Sequence, residues 1–393
     1  MVTYPEDWKT DKINNVADLF DNLRIPVTKN QRKPGNTPYY GANGIQDFVS
    51  GYTHDGDFVL IAEDGANDLL NYPVAYASGK IWVNNHAHVL AGIKSVANTK
   101  FLSYLLKKVD YVAVLVGGTR AKLNGKTLKN IEITFPESIL EQQAIAAVLS
   151  DFDEHIDNLT ELIEKKKAIR DGALEDLVNG KTRLDGFDGE RDEKTLEDIC
   201  VPYGLVRGPF GGSLKKDMFV SKGNKVYEQR NAIYKSVKIG KYFVTDEKYN
   251  ELSRFAVQEN DFIISCSGTI GKIYKIPKEH QKGIINQALL KITIDANKCD
   301  LDYFYKYFEW DKFQDEIIDN TQGGAMKNLV GMDVFRNTLI RMPKDISEQQ
   351  TIASVLIAMD EEIEFLEVEK AKMMQIREGA MDDLLTGRVR LKV

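Results

Sequence analysis

Apolar residues recur at alternating steps of four and three twice along this chain. The first run is Ile145, Leu149, Phe152, Ile156, Leu159 and Ile163; the second is Ile352, Leu356, Met359, Ile363 and Leu366. Such spacing makes a narrow apolar seam, the pattern of a helix that pairs with another helix. The intervening positions are largely charged, so the seam is the face to be buried. Pro136 and Pro343 stand just upstream, and Gly180 and Gly387 near the other end, where glycine stops a helix. The 38 residues from Glu141 to Val178 predict a helix of roughly 57 Å at about 1.5 Å per residue.

The two runs are copies of one stretch. Residues 141–184 and 348–391 align without a gap at an offset of 207: Glu141-Gln142-Gln143 matches Glu348-Gln349-Gln350, Arg170 matches Arg377, and Gly172-Ala173 matches Gly379-Ala380. A self-match of this length identifies an internal repeat. Neither seam is stable alone in water, and the length of chain between them lets the helices return antiparallel. The register breaks midway, where Ile163 matches Lys370 and Lys166 matches Met373.

Each copy follows a mixed stretch. In the first half, a short helical segment comes after Trp8, then a basic Gly/Pro-rich segment, Arg24 to Gly44. Strands are predicted at 57–62, 74–83 and 86–93, a helix at 99–110 capped by Asn98, a glycine loop at 117–120 and a strand at 131–135. The second half repeats the order. A short helix near 196–199 precedes the basic segment 207–241, strands at 261–265, 270–276 and 284–294, a helix at 301–318, a glycine loop at 323–327 and a strand at 338–342. Asp57-Phe58-Val59-Leu60 aligns with Asp261-Phe262-Ile263-Ile264, and Asn85-His86-Ala87 with Asn286-Gln287-Ala288. The second half shows no equivalent of Trp8.

Composition adds limits. The 393 residues suffice for two or three domains, and 43% apolar content supports ordinary cores. Three scattered cysteines argue against a disulfide framework and fit a reducing cytoplasm. The first residues carry no apolar leader pattern, and no apolar run approaches membrane-spanning length. The net charge of −7 is unevenly placed. Residues 141–184 and 348–393 each hold ten acids and six bases, so together they carry −8 and the rest +1. Residues 207–241 hold nine bases and two acids; residues 22–46 hold four bases and no acid. Two basic clusters at the same place in two repeated halves point to phosphate, and so to DNA.

The catalytic motifs are missing. The spacing of Ser267 to Lys272 does not match a phosphate-binding Gly-x4-Gly-Lys-Ser/Thr loop, and no Asn/Asp-Pro-Pro-aromatic run is present. Ser265 to Ser267 has no evident base. His86 and His88 alternate, as on one face of a strand, but no Cys or carboxylate partner is evident, so no metal is expected.

This arrangement resembles the specificity subunit of type I restriction-modification systems over the whole chain. The resemblance is carried by the paired Glu-Gln-Gln helices, each after a strand ending in proline and each closing on Leu-x-x-Gly-(Lys/Arg)-x-Arg-Leu (Leu177 to Leu184, Leu384 to Leu391). It is carried also by Ser267-Gly268-Thr269-Ile270-Gly271-Lys272 with Asn286-Gln287-Ala288-Leu289, and by Ser78 to His88 in the first half. It implies an α+β fold: two similar target recognition domains joined by two long helices in an antiparallel coiled coil with pseudo-twofold symmetry. The expected segments are residues 1–140 and 185–347 for the domains and 141–184 and 348–393 for the helices. Such a chain is not an enzyme. It reads a two-part DNA target with a spacer fixed by the helices and docks two methyltransferase subunits and, through them, restriction subunits. No cofactor is expected in this chain; S-adenosylmethionine, ATP and magnesium belong to the partners. The other reading is a coiled-coil scaffold whose globular domains bind protein, separable by the steep salt dependence of DNA binding.

Within this frame the phosphate-contact candidates are Arg24, Lys29, Arg32, Lys33, Lys215, Lys216, Lys222 and Lys225, with Arg120 and Lys327 beside the glycine loops. The base-edge candidates are Asn36, Tyr39, Tyr40 and Asn43 in the first half, and Arg207, Tyr227, Gln229, Arg230, Asn231 and Tyr234 in the second.

Overall fold

The computed structural model describes residues 3–115, 122–319 and 328–392. The chain divides into two compact units, Met1–Glu161 with Glu367–Val393, and Leu162–Leu366. Each unit therefore takes one half of each long helix.

The first unit runs β1 (Trp8–Lys12), α1 (Ile13–Val16), β2 (Ala17–Leu19), β3 (Pro34–Gly41), β4 (Gly44–Val49), β5 (His54–Ala62), β6 (Val74–Val83), β7 (Ala87–Gly92), α2 (Thr99–Lys107), α3 (Tyr111–Val114), α4 (Gly125–Lys129), β8 (Glu132–Pro136) and the start of α5 (Ile139–Asn179). Six strands form one sheet in the order β2-β7-β5-β6-β3-β4, and β1 pairs with β8 outside it. Only β3 and β6 run parallel, Tyr39 opposite Trp82. The centre of the sheet is β5, whose residues 58–62 are all buried, as a strand covered on both faces requires. Asn98 caps α2, its side chain accepting from the Phe101 amide at 2.9 Å. Phe101, Leu102 and Leu105 of α2 meet Val59 and Ile61 of β5 in one core, which Ile145 and Leu149 of α5 complete.

The second unit follows with β9 (Arg191–Thr195), β10 (Cys200–Arg207), β11 (Asn224–Tyr227), α6 (Gln229–Ile233), β12 (Phe243–Val244), α7 (Asp246–Glu251), β13 (Phe262–Ser265), β14 (Ile273–Lys275), β15 (Gly283–Ile285), β16 (Leu289–Ile294), α8 (Leu301–Glu309), α9 (Asp311–Ile317), β17 (Ile318–Asp319), β18 (Asn328–Leu329), α10 (Met332–Asn337), β19 (Leu339–Pro343) and α11 (Ile346–Leu384). Its sheets are β10-β16-β13-β14, β12-β11-β15, and the pairs β17-β18 and β19-β9. The long strand β6 of the first unit has no single counterpart here: β14 and β15 belong to different sheets.

Four expectations change. Residues 196–199 form a turn, not a helix, because Thr195 and Asp198 satisfy it locally: the Asp198 carboxylate accepts from the Thr195 amide at 3.0 Å, and Thr195 Oγ1 accepts from the Asp198 amide at 3.1 Å. The strand expected over 284–294 splits into β15 and β16 around a turn at 286–288, and the helix expected over 301–318 splits at Trp310, which is extended. Lastly, Trp8 does have a counterpart. Trp8 sits opposite Pro136, and Arg191 opposite Pro343. Trp8 lies against Gly387 and Arg191 against Gly180, two helix-ending glycines with φ of 71° and 77°. The Arg191 guanidinium donates to the carbonyls of Leu177 and Val178, so a cation replaces an indole over a helix C-terminus, where its charge is favourable.

The helix halves run antiparallel inside each unit. In the first, Arg377 donates to Asp153 at 2.9 Å and Arg390 makes a fork with Glu141. In the second, Arg170 donates to Asp360 at 2.7 Å and Arg183 to Glu348 at 2.8 Å. These are the same two contacts at the 207-residue offset. Both give one register, since 153 and 377 sum to 530, as do 170 and 360. Leu159 and Ile163, and Ile363 and Leu366, are buried along the seam, with Phe152, Ile156 and Met359 half-buried. The seam ends enter the globular cores: Ile145 and Leu149 meet Met381, Leu384 and Leu385, while Ile352 and Leu356 meet Leu174, Leu177 and Val178. The mid-helix mismatch is carried by an ion pair, Lys166 with Glu362 at 2.7 Å. Among the described residues no helix is long and apolar enough to cross a membrane.

Candidate nucleic-acid interface

In the first unit the basic segment is pinned to the sheet by its own side chains. Tyr39 is buried, and its hydroxyl both receives the Val27 amide at 3.1 Å and donates to the Val27 carbonyl at 3.2 Å. Arg32 lies 4.0 Å over that ring and donates to Asp47 at 3.3 Å. Arg24 is held by Glu63 at 2.7 Å, by Asp21 and by the Ala87 carbonyl. These contacts correct the sequence reading of Tyr39 and Arg24: both are spent inside the fold. Exposed around them are Lys29, Lys33, Asn36 and Asn43, with Tyr40 half-buried beside them. Asn43 also ties the hairpin to the next loop, donating to the Gly65 carbonyl and accepting from the Asn67 amide.

Among the described residues, the same corner holds the nearest approach to a metal site. Asp21, Glu63 and His88 bring three possible ligand atoms within 4.8 Å of one another. Protein cations already occupy it: Arg24, and Lys122 at 3.1 Å from Glu63. Against the upward pull of burial, hydrogen bonds from His88 and the Val89 amide hold the Asp21 carboxyl below its usual range, and bonds from Arg24 and Lys122 do the same for Glu63. Both His88 ring nitrogens are engaged, by Asp21 and by the Leu123 carbonyl. His86 does not share its face; it is exposed in the turn before β7, against Asp64.

In the second unit, three candidates prove internal. Tyr227 is buried and donates to the Gln281 carbonyl at 2.6 Å. Asn231 is buried, bridging the Ser236 and Ile239 carbonyls and the Glu228 amide. Lys225 is buried and donates to the Val237 carbonyl; burial pulls its ammonium below the usual lysine range. Lys215, Lys216, Lys222, Arg230 and Tyr234 are exposed, Arg230 standing 6.0 Å over the Tyr234 ring. Arg207 and Gln229 are half-buried at the end of β10 and the start of α6. Arg120 and Lys327 lie outside the described residues.

The turn Asn286-Gln287-Ala288 matches the first unit with a one-residue correction. The Asn286 amide donates to the Tyr227 carbonyl as that of Asn84 does to Tyr40. The Asn286 side chain then accepts from the Ala288 amide as that of Asn84 does from His86. The counterpart of Asn286 is therefore Asn84, not Asn85. Sequence reading also missed the glutamines inside the helix motif. Gln142 donates to the Val96 and Pro136 carbonyls and accepts from the Asn98 amide; Gln349 donates to the Pro343 carbonyl and accepts from the Asp300 amide. Each anchors the N-cap residue of a domain helix, α2 or α8. Their place on the buried face, three residues before Ile145 and Ile352, was the available signal.

Comparison with known proteins agrees with this two-part reading. A family model described as the type I restriction modification DNA specificity domain matches residues 5–168 and again residues 193–374. A Haemophilus influenzae protein named for a type I restriction enzyme specificity subunit is 32% identical over 378 residues, covering 89% of this chain and 86% of that one. The type I restriction enzyme MjaVIII specificity subunit of Methanocaldococcus jannaschii is 23% identical over 420 residues, covering 99% and 94%. Among solved structures, the type I restriction-modification S subunit from M. genitalium superposes with a TM-score of 0.65 at 17% identity over 96% of both chains, which shows the shared fold.

Proposed function

Because the chain belongs to the type I restriction-modification DNA specificity family, we propose that its two units each read one part of a split DNA target and that its long helices fix the spacer between the parts. The chain is a specificity subunit, a DNA-recognition component and not the catalytic one. Two methyltransferase subunits dock on the helices and bring restriction subunits with them.

The observation that carries this reading is the repeated architecture itself. One helix register is kept in both units while the globular parts have diverged, a constant frame with two variable readers. The exposed lysines are consistent with phosphate contacts, Lys29 and Lys33 in one unit and Lys215, Lys216 and Lys222 in the other. Ile169 and Ile376, equivalent positions 60% and 44% exposed on the helices, are the points at which each copy of that partner docks.

Co-expression with the methyltransferase subunit, followed by methylation mapping of the host DNA, tests the reading. A single split motif with one spacer length is the expected result. A soluble complex that methylates no defined motif would count against it.

A further inference from the structure

Arg207 ends β10, and its Nε is shut off from solvent with no hydrogen-bond partner; among the described residues no ion pair or ring contact engages its guanidinium either. A half-buried guanidinium without an acceptor is costly unless something outside the fold satisfies it. Gln229 repeats the situation: its Oε1 is closed off from solvent and unpaired. Between the two lies the turn 286–288. The Gly208 amide donates to the Leu289 carbonyl on one side, and the Asn286 amide to the Tyr227 carbonyl on the other. A Cβ on Gly208 would stand 1.9 Å from the Asn286 carbonyl oxygen, so β10 and the turn are in close contact. Gln287 is exposed at the head of that turn.

The first unit shows what a closed version of this corner looks like. Glu63 there occupies the backbone position that Cys266 takes here, each amide donating to the carbonyl two residues after the turn asparagine. Glu63 neutralises Arg24. In the second unit the acid is replaced by a thiol, and among the described residues no carboxylate pairs with Arg207.

We propose that Arg207, flanked by Gln229 and Gln287, is the base-reading centre of the second unit and takes a guanine through its major-groove edge. This rests on the reading of the chain as a DNA-specificity subunit. A guanidinium presents two parallel donors that match guanine O6 and N7, and the neighbouring amides can serve an adjacent base pair. The two side chains that flank it are neutral amides, whereas the phosphate candidates Lys215, Lys216 and Lys222 are exposed.

The test is methylation mapping with the complete complex carrying R207A, R207K or Q229A, beside the native chain. R207A and R207K are both expected to lose discrimination at one G·C pair of one half-site, by about tenfold or more, with the spacer and the other half-site unchanged. R207K separates the roles: a phosphate contact survives in lysine, a guanine fork does not. Q229A lies outside β10 and is expected to relax an adjacent position of the same half-site. An unchanged motif for R207K, or weakening that is equal on all sequences, overturns the proposal while leaving the subunit reading intact. A native complex that yields no split motif overturns that reading and the proposal with it.

Discussion

At the residue scale, the Glu-Gln-Gln motif separates into three roles that its letters do not show. Glu141 and Glu348 receive arginines from just past the end of the other helix, Gln142 and Gln349 tie helix to domain, and Gln143 and Gln350 face solvent. Gln349→Ala would strand the buried Pro343 carbonyl and the Asp300 amide. It is expected to destabilise the protein by about 2–3 kcal/mol, in the range for unpaired buried polar groups, whereas Gln350→Ala should stay within about 0.5 kcal/mol. Denaturant unfolding of both variants decides; equal effects would remove the assigned role of Gln349. The candidate DNA residues were legible only as segments. Composition marks a basic stretch, but whether Tyr39 or Tyr40, Lys222 or Lys225, points inward depends on strand register, which the sequence does not contain.

At the element scale, strong periodicity made the frame readable. The first helix was expected from Glu141 and starts at Ile139; β6 covers Val74–Val83, as expected. Failures fall where local chemistry overrides pattern, at the Thr195–Asp198 turn, at extended Trp310 and at the turn that divides 284–294. The outward faces of the helices carry the element-scale prediction. Ile169→Glu and Ile376→Glu each put a charge at an exposed site, so neither should alter stability by more than about 0.5 kcal/mol. Each single variant is expected to lose one methyltransferase subunit, and the double variant both, measured as complex mass in solution. Full assembly of the double variant would show that partners dock elsewhere.

At the scale of the whole molecule, a repeated chain with diverged globular halves is apparent from the 207-residue offset alone; what the offset hides is how each unit is completed. The arginine locks that both units share have their two halves on both helices. Asp153 and Arg170 ride on α5, Asp360 and Arg377 on α11. Leu174, Leu177 and Val178 are the positional twins of Met381, Leu384 and Leu385, which close the core of the first unit. Glu141, clamped here by Arg390, has Arg183 as the twin of its partner. A fragment of residues 1–190 thus holds both faces of its own interface and reads as a palindrome in three dimensions. Two copies should close on each other isologously, with Arg170 of one copy meeting Asp153 of the next. Light scattering should find a dimer that Asp153→Arg disrupts; a folded monomer would break the argument. Joined to its methyltransferase, that dimer would exchange the asymmetric target for an inverted repeat of a single half-site.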